Sequence, residues 1–231
     1  MAKKPEIVKG DDLIQMKDGD LCLYYKKEQL TVVKLRENTH VPFTGVGEDH
    51  HDNGQLAKRV NYKNGLLDGL SESYDGEGNL REKRTYKDGE HDGLWESFRD
   101  VGQLSFKRNF KNGVMRYEEK YYKNGQLKHK FNFNKDGEHD GLCENYHENG
   151  KVSTKANYKN GQRHGVCEHT HFYGELSERA RLYLQRGENE VMGYLKQHYK
   201  NGLLHGPEES FDKEGNLERT KTYKDGKLIE E

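Results

Sequence analysis

Tyr62-Lys63-Asn64-Gly65, followed by Gly69-Leu70-Ser71-Glu72-Ser73-Tyr74, is the stretch that decides the fold. The first half returns as Tyr86-Lys87-Asp88-Gly89, Phe110-Lys111-Asn112-Gly113, Tyr158-Lys159-Asn160-Gly161, Tyr199-Lys200-Asn201-Gly202 and Tyr223-Lys224-Asp225-Gly226. Phe133 to Gly137 and Tyr183 to Gly187 carry one extra residue. The second half returns as Gly93-Leu94-Trp95-Glu96-Ser97-Phe98 and Gly141-Leu142-Cys143-Glu144-Asn145-Tyr146. Counted between the leading aromatics from Tyr62 to Tyr223, the intervals are 24, 24, 23, 25, 25, 16 and 24 residues, so only the unit from Tyr183 is short.

The turns explain the repeat. Asn-Gly and Asp-Gly tolerate positive φ at both central positions, as a two-residue type I′ hairpin turn requires. A second, longer turn such as Asp75-Gly76-Glu77-Gly78-Asn79 needs glycine for a left-handed conformation. Gly78-Asn79-Leu80, Gly102-Gln103-Leu104 and Gly215-Asn216-Leu217 then start the next strand. Each unit is strand, turn, strand, turn. Glycine recurs too often for helix interiors, and the side-chain period is two. Counted by parity, Leu80, Glu82, Arg84 and Tyr86 share a face with Leu94, Glu96 and Phe98, and Lys83, Thr85, Trp95 and Ser97 take a polar opposite face.

One hairpin is not stable alone, so the units must stack side by side. The expectation is an all-β, elongated, single-layer antiparallel sheet of tandem hairpin repeats of about 24 residues. Residues 43–231 form the repeats, irregular near 182–198, with Phe43-Thr44-Gly45 and Asn53-Gly54-Gln55-Leu56 as an incomplete first unit. Residues 1–42 stand outside the repeat, where Leu21-Cys22-Leu23-Tyr24-Tyr25 and Leu30-Thr31-Val32-Val33 are expected to be strands that cap the open edge. At the other end, the charges of Lys227-Leu228-Ile229-Glu230-Glu231 are expected to blunt the edge.

Composition agrees with a thin structure. The chain has 231 residues, of which 44 are Leu, Ile, Val or Phe, about 19% and just under the range where disorder becomes a competing reading. A net charge of -1 removes like-charge expansion, and 15 tyrosines supply rings that each bury on the order of 150–250 Å² when covered. Apolar runs of a few residues exclude a spanning helix. The charged segment Met1 to Gly10 carries no secretion signal, and three cysteines without finger spacing fit a reducing compartment, so a cytoplasmic location is expected. Thirty-nine basic against 40 acidic residues give no long-range pull toward nucleic acid or anionic lipid. The short basic pairs Lys3-Lys4 and Lys26-Lys27 read as solvated surface.

Chemistry-bearing residues read mostly as structure. Glu72, Glu96, Glu144, Glu168 and Glu209 repeat along a sheet instead of converging as an acid and a base, and are expected to meet Arg84, Lys155 and similar residues across strands. No nucleophile motif or phosphate loop occurs, and no catalytic residue, cofactor or metal is expected. His164 and His205 read as polar residues that cap or pair within hairpins. His169 and His171 share a strand face with Cys167, yet a zinc site wants three or four ligands at one point, and His50-His51-Asp52 is weaker still. Cys143 and Cys167 hold one position in successive units, roughly 9–10 Å apart at the usual strand spacing, too far for a disulfide. Trp95, the only tryptophan, is the leading candidate anchor for a partner, with Phe106, Phe172 and Tyr173 behind it.

With these residues in hand, the chain resembles the MORN-repeat-variant family, and within it the YwqK-like bacterial antitoxin and immunity proteins. The resemblance is carried by Tyr158-Lys159-Asn160-Gly161-Gln162-Arg163-His164-Gly165 and its siblings, by Asn149-Gly150-Lys151-Val152 through Tyr158, and by the lead-in Pro42-Phe43-Thr44-Gly45. It covers about residues 21–231. The chain departs from the pattern between Leu182 and His198, where half a unit is missing or remodelled, and in the Phe110–Tyr122 unit, where Tyr117 stands near the place of the second glycine. The resemblance implies a protein that binds and neutralises a cognate protein toxin stoichiometrically, without chemistry. The alternative is a repeat scaffold or membrane-proximal adaptor. A homodimer through exposed aromatic faces stays open beside either reading.

Overall fold

The computed structural model describes residues 7–9, 13–18, 21–26, 42–172 and 191–230. It divides into two compact units, residues 1–115 and 116–231. The described residues are strand and turn, with no helix. In the first unit the strands are β1 (Ile7–Lys9), β2 (Leu13–Asp18), β3 (Leu21–Lys26), β4 (Gly45–His50), β5 (Leu56–Lys63), β6 (Leu66–Tyr74), β7 (Leu80–Lys87), β8 (Glu90–Phe98) and β9 (Leu104–Lys111). β10 (Val114–Tyr121) crosses the boundary. The second unit continues with β11 (Leu127–Asn132), β12 (Gly141–Tyr146), β13 (Val152–Lys159), β14 (Gln162–Phe172), β15 (Val191–Lys200), β16 (Leu203–Phe211), β17 (Leu217–Lys224) and β18 (Lys227–Glu230).

Within each unit every repeat strand pairs antiparallel with its neighbour in sequence, from β4 to β9 and from β10 to β18. The sheet is thin: the buried apolar side chains among the described residues are Phe43, Val46, Val60, Cys143, Ala156 and Cys167.

Each position of the repeat has a mechanical task. Asn64, Asp88, Asn112, Asn160, Asn201 and Asp225 all sit at φ between 48° and 51°, and the glycine after each is also left-handed, which makes these the expected type I′ turns. The turn glycine donates its N–H to the preceding hairpin: Gly89 to the Leu67 carbonyl at 2.9 Å, Gly113 to His91 at 2.9 Å, Gly161 to His139 at 2.9 Å. The residue before the second glycine caps the next turn, as Asp140 Oδ2 accepts from the Asn160 N–H at 3.1 Å. His205 does the same, with Nδ1 3.4 Å from the Asp225 nitrogen, as expected of a capping residue. The second glycine faces the aromatic of the returning strand (Gly69 opposite Tyr86, Gly93 opposite Phe110, Gly141 opposite Tyr158), so the ring covers a bare stretch of backbone.

That register clarifies the irregular region. Gly165 lies opposite Tyr199, so β14 and β15 pair directly and residues 173–190 are inserted between them. Tyr199 completes the unit of Gly165, where the spacing alone suggested a shortened unit beginning at Tyr183; Tyr183 to Gly187 lie outside the described residues. At the first edge, β1 pairs parallel with β4. The strand around Leu21–Tyr25 exists, but it pairs with β2 as a separate two-stranded ribbon. Leu30 to Val33 lie outside the described residues.

The faces differ from the parity count. Antiparallel residues directly opposite one another share a face. Arg84 lies opposite Trp95, and Trp95 opposite Arg108. Lys83 lies opposite Glu96, and Glu96 opposite Lys107. Trp95 therefore shares its face with Arg84, Tyr86 and Phe110, and is not on a polar opposite face. Across the two-residue turn Tyr86 pairs with His91 and Arg84 with Trp95, so an even residue of β7 shares its face with an odd residue of β8. A β-bulge beside the long turn adds a second change: Ser73 pairs with Glu82 but Tyr74 with Leu80, which moves Leu80 to the face away from Tyr86.

Candidate functional site

The two faces of the sheet carry different chemistry. One holds a charge ladder. In the first unit Glu48, Arg59, Glu72, Lys83, Glu96 and Lys107 stand opposite one another strand by strand. In the second unit Glu119, Lys130, Glu144, Lys155, Glu168, Lys196 and Glu209 do the same. Arg59 Nε lies 2.7 Å from Glu48 Oε1 and Lys155 Nζ 3.3 Å from Glu144 Oε1. The expected ladder is present with Lys155 in it; Arg84 belongs to the other face, paired with Glu82. No carboxylate of the ladder is set against a second carboxylate, so the ladder does not assemble an acid–base pair.

The other face of the first unit holds an aromatic and cationic cluster on β7, β8 and β9. The Trp95 ring stacks on His91, with centroids 5.3 Å apart and planes within 3°, and meets Phe106 edge-on at 5.3 Å. Arg84 lies 4.3 Å from the Trp95 centroid and Arg108 5.2 Å, and Arg108 also lies 4.3 Å from Phe106. His91 in turn touches Tyr86 at 4.4 Å and Phe110 at 5.1 Å. Two guanidinium groups on one indole gain electrostatically from its π-face, on the order of 0.5–2 kcal/mol each according to desolvation. Buried nitrogens of Arg84 (Nε), His91 (Nδ1) and Trp95 (Nε1) have no hydrogen-bond partner among the described residues. Burial and the nearby Arg84 charge push the His91 pKa below its ordinary value, which favours a neutral ring.

The corresponding face of the second unit is built around His139. It stacks on Phe133 at 4.8 Å, meets Phe131 edge-on at 5.1 Å and approaches Tyr158 at 5.3 Å. Burial lowers its pKa too. A cleft of about 170 Å³ on this face is lined by Phe131, His139, Cys143, Tyr158, Arg163 and His169, among others. Cys143 Sγ lies 3.5 Å from His139 Nδ1, and Cys167 Sγ lies 3.3 Å from His169 Nε2. His169 Nδ1 lies 3.2 Å from Thr154 Oγ1. Each of the two thiols meets a single histidine nitrogen, and no group of three metal-ligating side chains forms among the described residues. The His171 side chain is outside those residues. Cys143 and Cys167 are both free, separated in the register by Ala156. Burial raises both thiol pKa values.

Of the expected anchors, Trp95 and Phe106 meet in one cluster. Phe172 ends β14 opposite Val191, with its side chain outside the described residues, and Tyr173 lies wholly outside them. His164 Nδ1 is buried without a partner, so its expected capping bond is not formed. His91 and His139 were not among the expected site residues. Their signal is the exact repetition of Asp-Gly-Glu-His-Asp-Gly-Leu at residues 88–94 and 136–142, which gives two hairpins the same histidine at the same aromatic position. No helix among the described residues is long and apolar enough to cross a membrane.

A comparison with curated proteins finds none that matches the chain. Residues 43–64, 67–88, 140–160 and 204–225 match the family model of the MORN repeat variant, so over those four segments the chain is built of MORN-variant repeats.

Proposed function

We propose that this chain is a non-enzymatic binding protein that neutralises a cognate bacterial protein toxin by occupying it in a fixed ratio. The repeats supply a scaffold, and the binding surface is the face that carries Trp95. The observation that carries the reading is the Trp95 ring held between Arg84 at 4.3 Å and Arg108 at 5.2 Å on three paired strands. Tryptophan and arginine dominate interface hot spots, because both combine a broad apolar surface with directional donors. A rigid sheet presents them at little ordering cost. The ladder carboxylates, each facing basic residues, support a role without acid–base chemistry.

The test is co-purification from source cells, followed by co-expression of the retained partner with and without this chain. The expected result is one dominant partner, toxic alone and silenced by this chain, with binding weakened at least tenfold by Trp95→Ala or Arg108→Ala. A second reading, a scaffold or adaptor for several partners, is favoured by the MORN-variant matches. Several partners retained together, none of them toxic, would select it.

A further inference from the structure

The row that holds Trp95 has a counterpart in the second unit built of small residues. In the first unit Arg84, Trp95 and Arg108 stand opposite one another and fill their face. Ala156 holds the place of Arg84 and Arg108, two residues before the aromatic of its unit. Cys143 and Cys167 hold the place of Trp95, two residues after the second glycine. Cys143, Ala156 and Cys167 are likewise opposite one another, and all three are buried. Two thiols and a methyl group thus replace an indole and two guanidinium groups. The cleft of about 170 Å³, lined by Cys143 and Ala156, is the room they leave.

The side chains around that row remain large. The place of His91, two residues after the turn glycine, is taken by His139 in one hairpin and by Arg163 in the next. With Phe131 and Tyr158 they give the cleft three rings and one cation. His139 stands 5.1 Å from Phe131 and 5.3 Å from Tyr158. Arg163 Nη1 donates to the Tyr199 hydroxyl at 3.1 Å, and the guanidinium also bonds the Tyr158 side chain. Among the described residues these phenols are its side-chain hydrogen-bond partners, and no carboxylate lines the cleft. A guanidinium has five N–H donors in a planar fork, and one carboxylate satisfies two of them together. Partly withdrawn from water and facing only neutral groups, Arg163 attracts an anion more strongly than an arginine in open solvent. The size of the cleft limits what else the ligand carries. A cavity of about 150 Å³ accepts one benzene ring, so there is room for a single ring with one small substituent. Ring walls favour an aromatic body, packed offset or edge-on.

We infer that this cleft binds a small aromatic monocarboxylate, its ring among Phe131, His139 and Tyr158 and its carboxylate on Arg163. The site lies within the second unit and stands or falls independently of the Trp95 surface.

Calorimetric titration of the full chain with benzoate tests the inference. Benzoate is expected to saturate one site with a dissociation constant on the order of 0.1–1 mM, as suits so small a ligand. Benzamide, which has the same shape without the charge, and acetate, a carboxylate without the ring, are each expected to bind about tenfold more weakly or worse. Arg163→Gln is expected to bring benzoate to the level of benzamide and to leave benzamide unchanged. Ala156→Leu, which fills the cleft, is expected to weaken both. Circular dichroism and melting of the variants check that the sheet persists. The inference would be overturned by the absence of saturable benzoate binding up to about 20 mM. Benzamide or acetate binding as tightly as benzoate, or benzoate binding left unaltered by either folded variant, would overturn it equally.

Discussion

The main-chain nitrogen of Gly93 lies in a left-handed segment, φ +111°, and a methyl group at its Cα would sit 3.2 Å from Cβ of Thr85 on the neighbouring strand. Gly69, Gly93 and Gly206 are therefore fixed by two independent demands, backbone conformation and close approach of a neighbour, whereas Gly141 and Gly165 are fixed by conformation alone. Gly93→Ala is expected to destabilise the protein by about 1–3 kcal/mol. Chemical denaturation measures this directly, and an alanine as stable as glycine would refute the account.

His91 and His139 give the protein a pH dependence of known sign. Burial lowers both pKa values in the folded state, whereas an unfolded histidine titrates near 6.5. Below about pH 6.5 the unfolded chain takes up protons that these two rings resist, so stability falls as the solution is acidified through that value toward the lowered folded values. At pH 8 both states are neutral at these sites and the contribution vanishes. His91→Phe/His139→Phe is expected to lose less stability than the parent between pH 7 and pH 5, read from melting temperatures at each pH.

Lys155 lies between Glu144 and Glu168 in the charge ladder. Lys155→Glu puts three carboxylates in a row and is expected to cost about 1–2 kcal/mol at low salt, most of it recovered at about 1 M salt by screening. Lys155→Gln, which removes one partner without adding repulsion, is expected to cost well under half as much. Equal losses for the two substitutions, or a loss insensitive to salt, would contradict the ladder.

Cys143 and Cys167 are 3% and 1% exposed, free, and carry thiols whose pKa burial raises. Both are expected to react with a thiol reagent only after denaturation, since the thiolate is the reactive form and access is closed. A reductant is expected to leave the melting temperature unchanged. Prompt labelling of either residue in the native protein would show that this face opens.

The repeat was legible because its turns are local. Asn64-Gly65 and its siblings require left-handed dihedrals, and few residues other than asparagine, aspartate and glycine adopt them, so the hairpins and their period could be read from spacing. The charge ladder was legible for Lys155 and not for Arg84. Equal parity on β7 and β8 means opposite faces, because Tyr86 pairs with His91 and Arg84 with Trp95 across the two-residue turn; within β7 a bulge also moves Leu80, and no residue type announces where such a register shift falls. His91 and His139 escaped notice because a single histidine between polar neighbours reads as surface; only the pairing of β8 with β7 and β9 surrounds His91 with Tyr86, Trp95 and Phe110.

The sequence by itself determined the turns, the hairpin length and the all-β class, because those depend on dihedral preferences and on side-chain alternation over a few residues. Tertiary structure alone decided that Trp95 shares a face with Arg84 and Arg108, and that Tyr199, not Tyr183, completes the unit of Gly165. Both depend on which residue stands opposite which across neighbouring strands. That register is set by the summed hydrogen bonding and packing of whole strands, and a shift of one residue sends a side chain to the other side of the sheet.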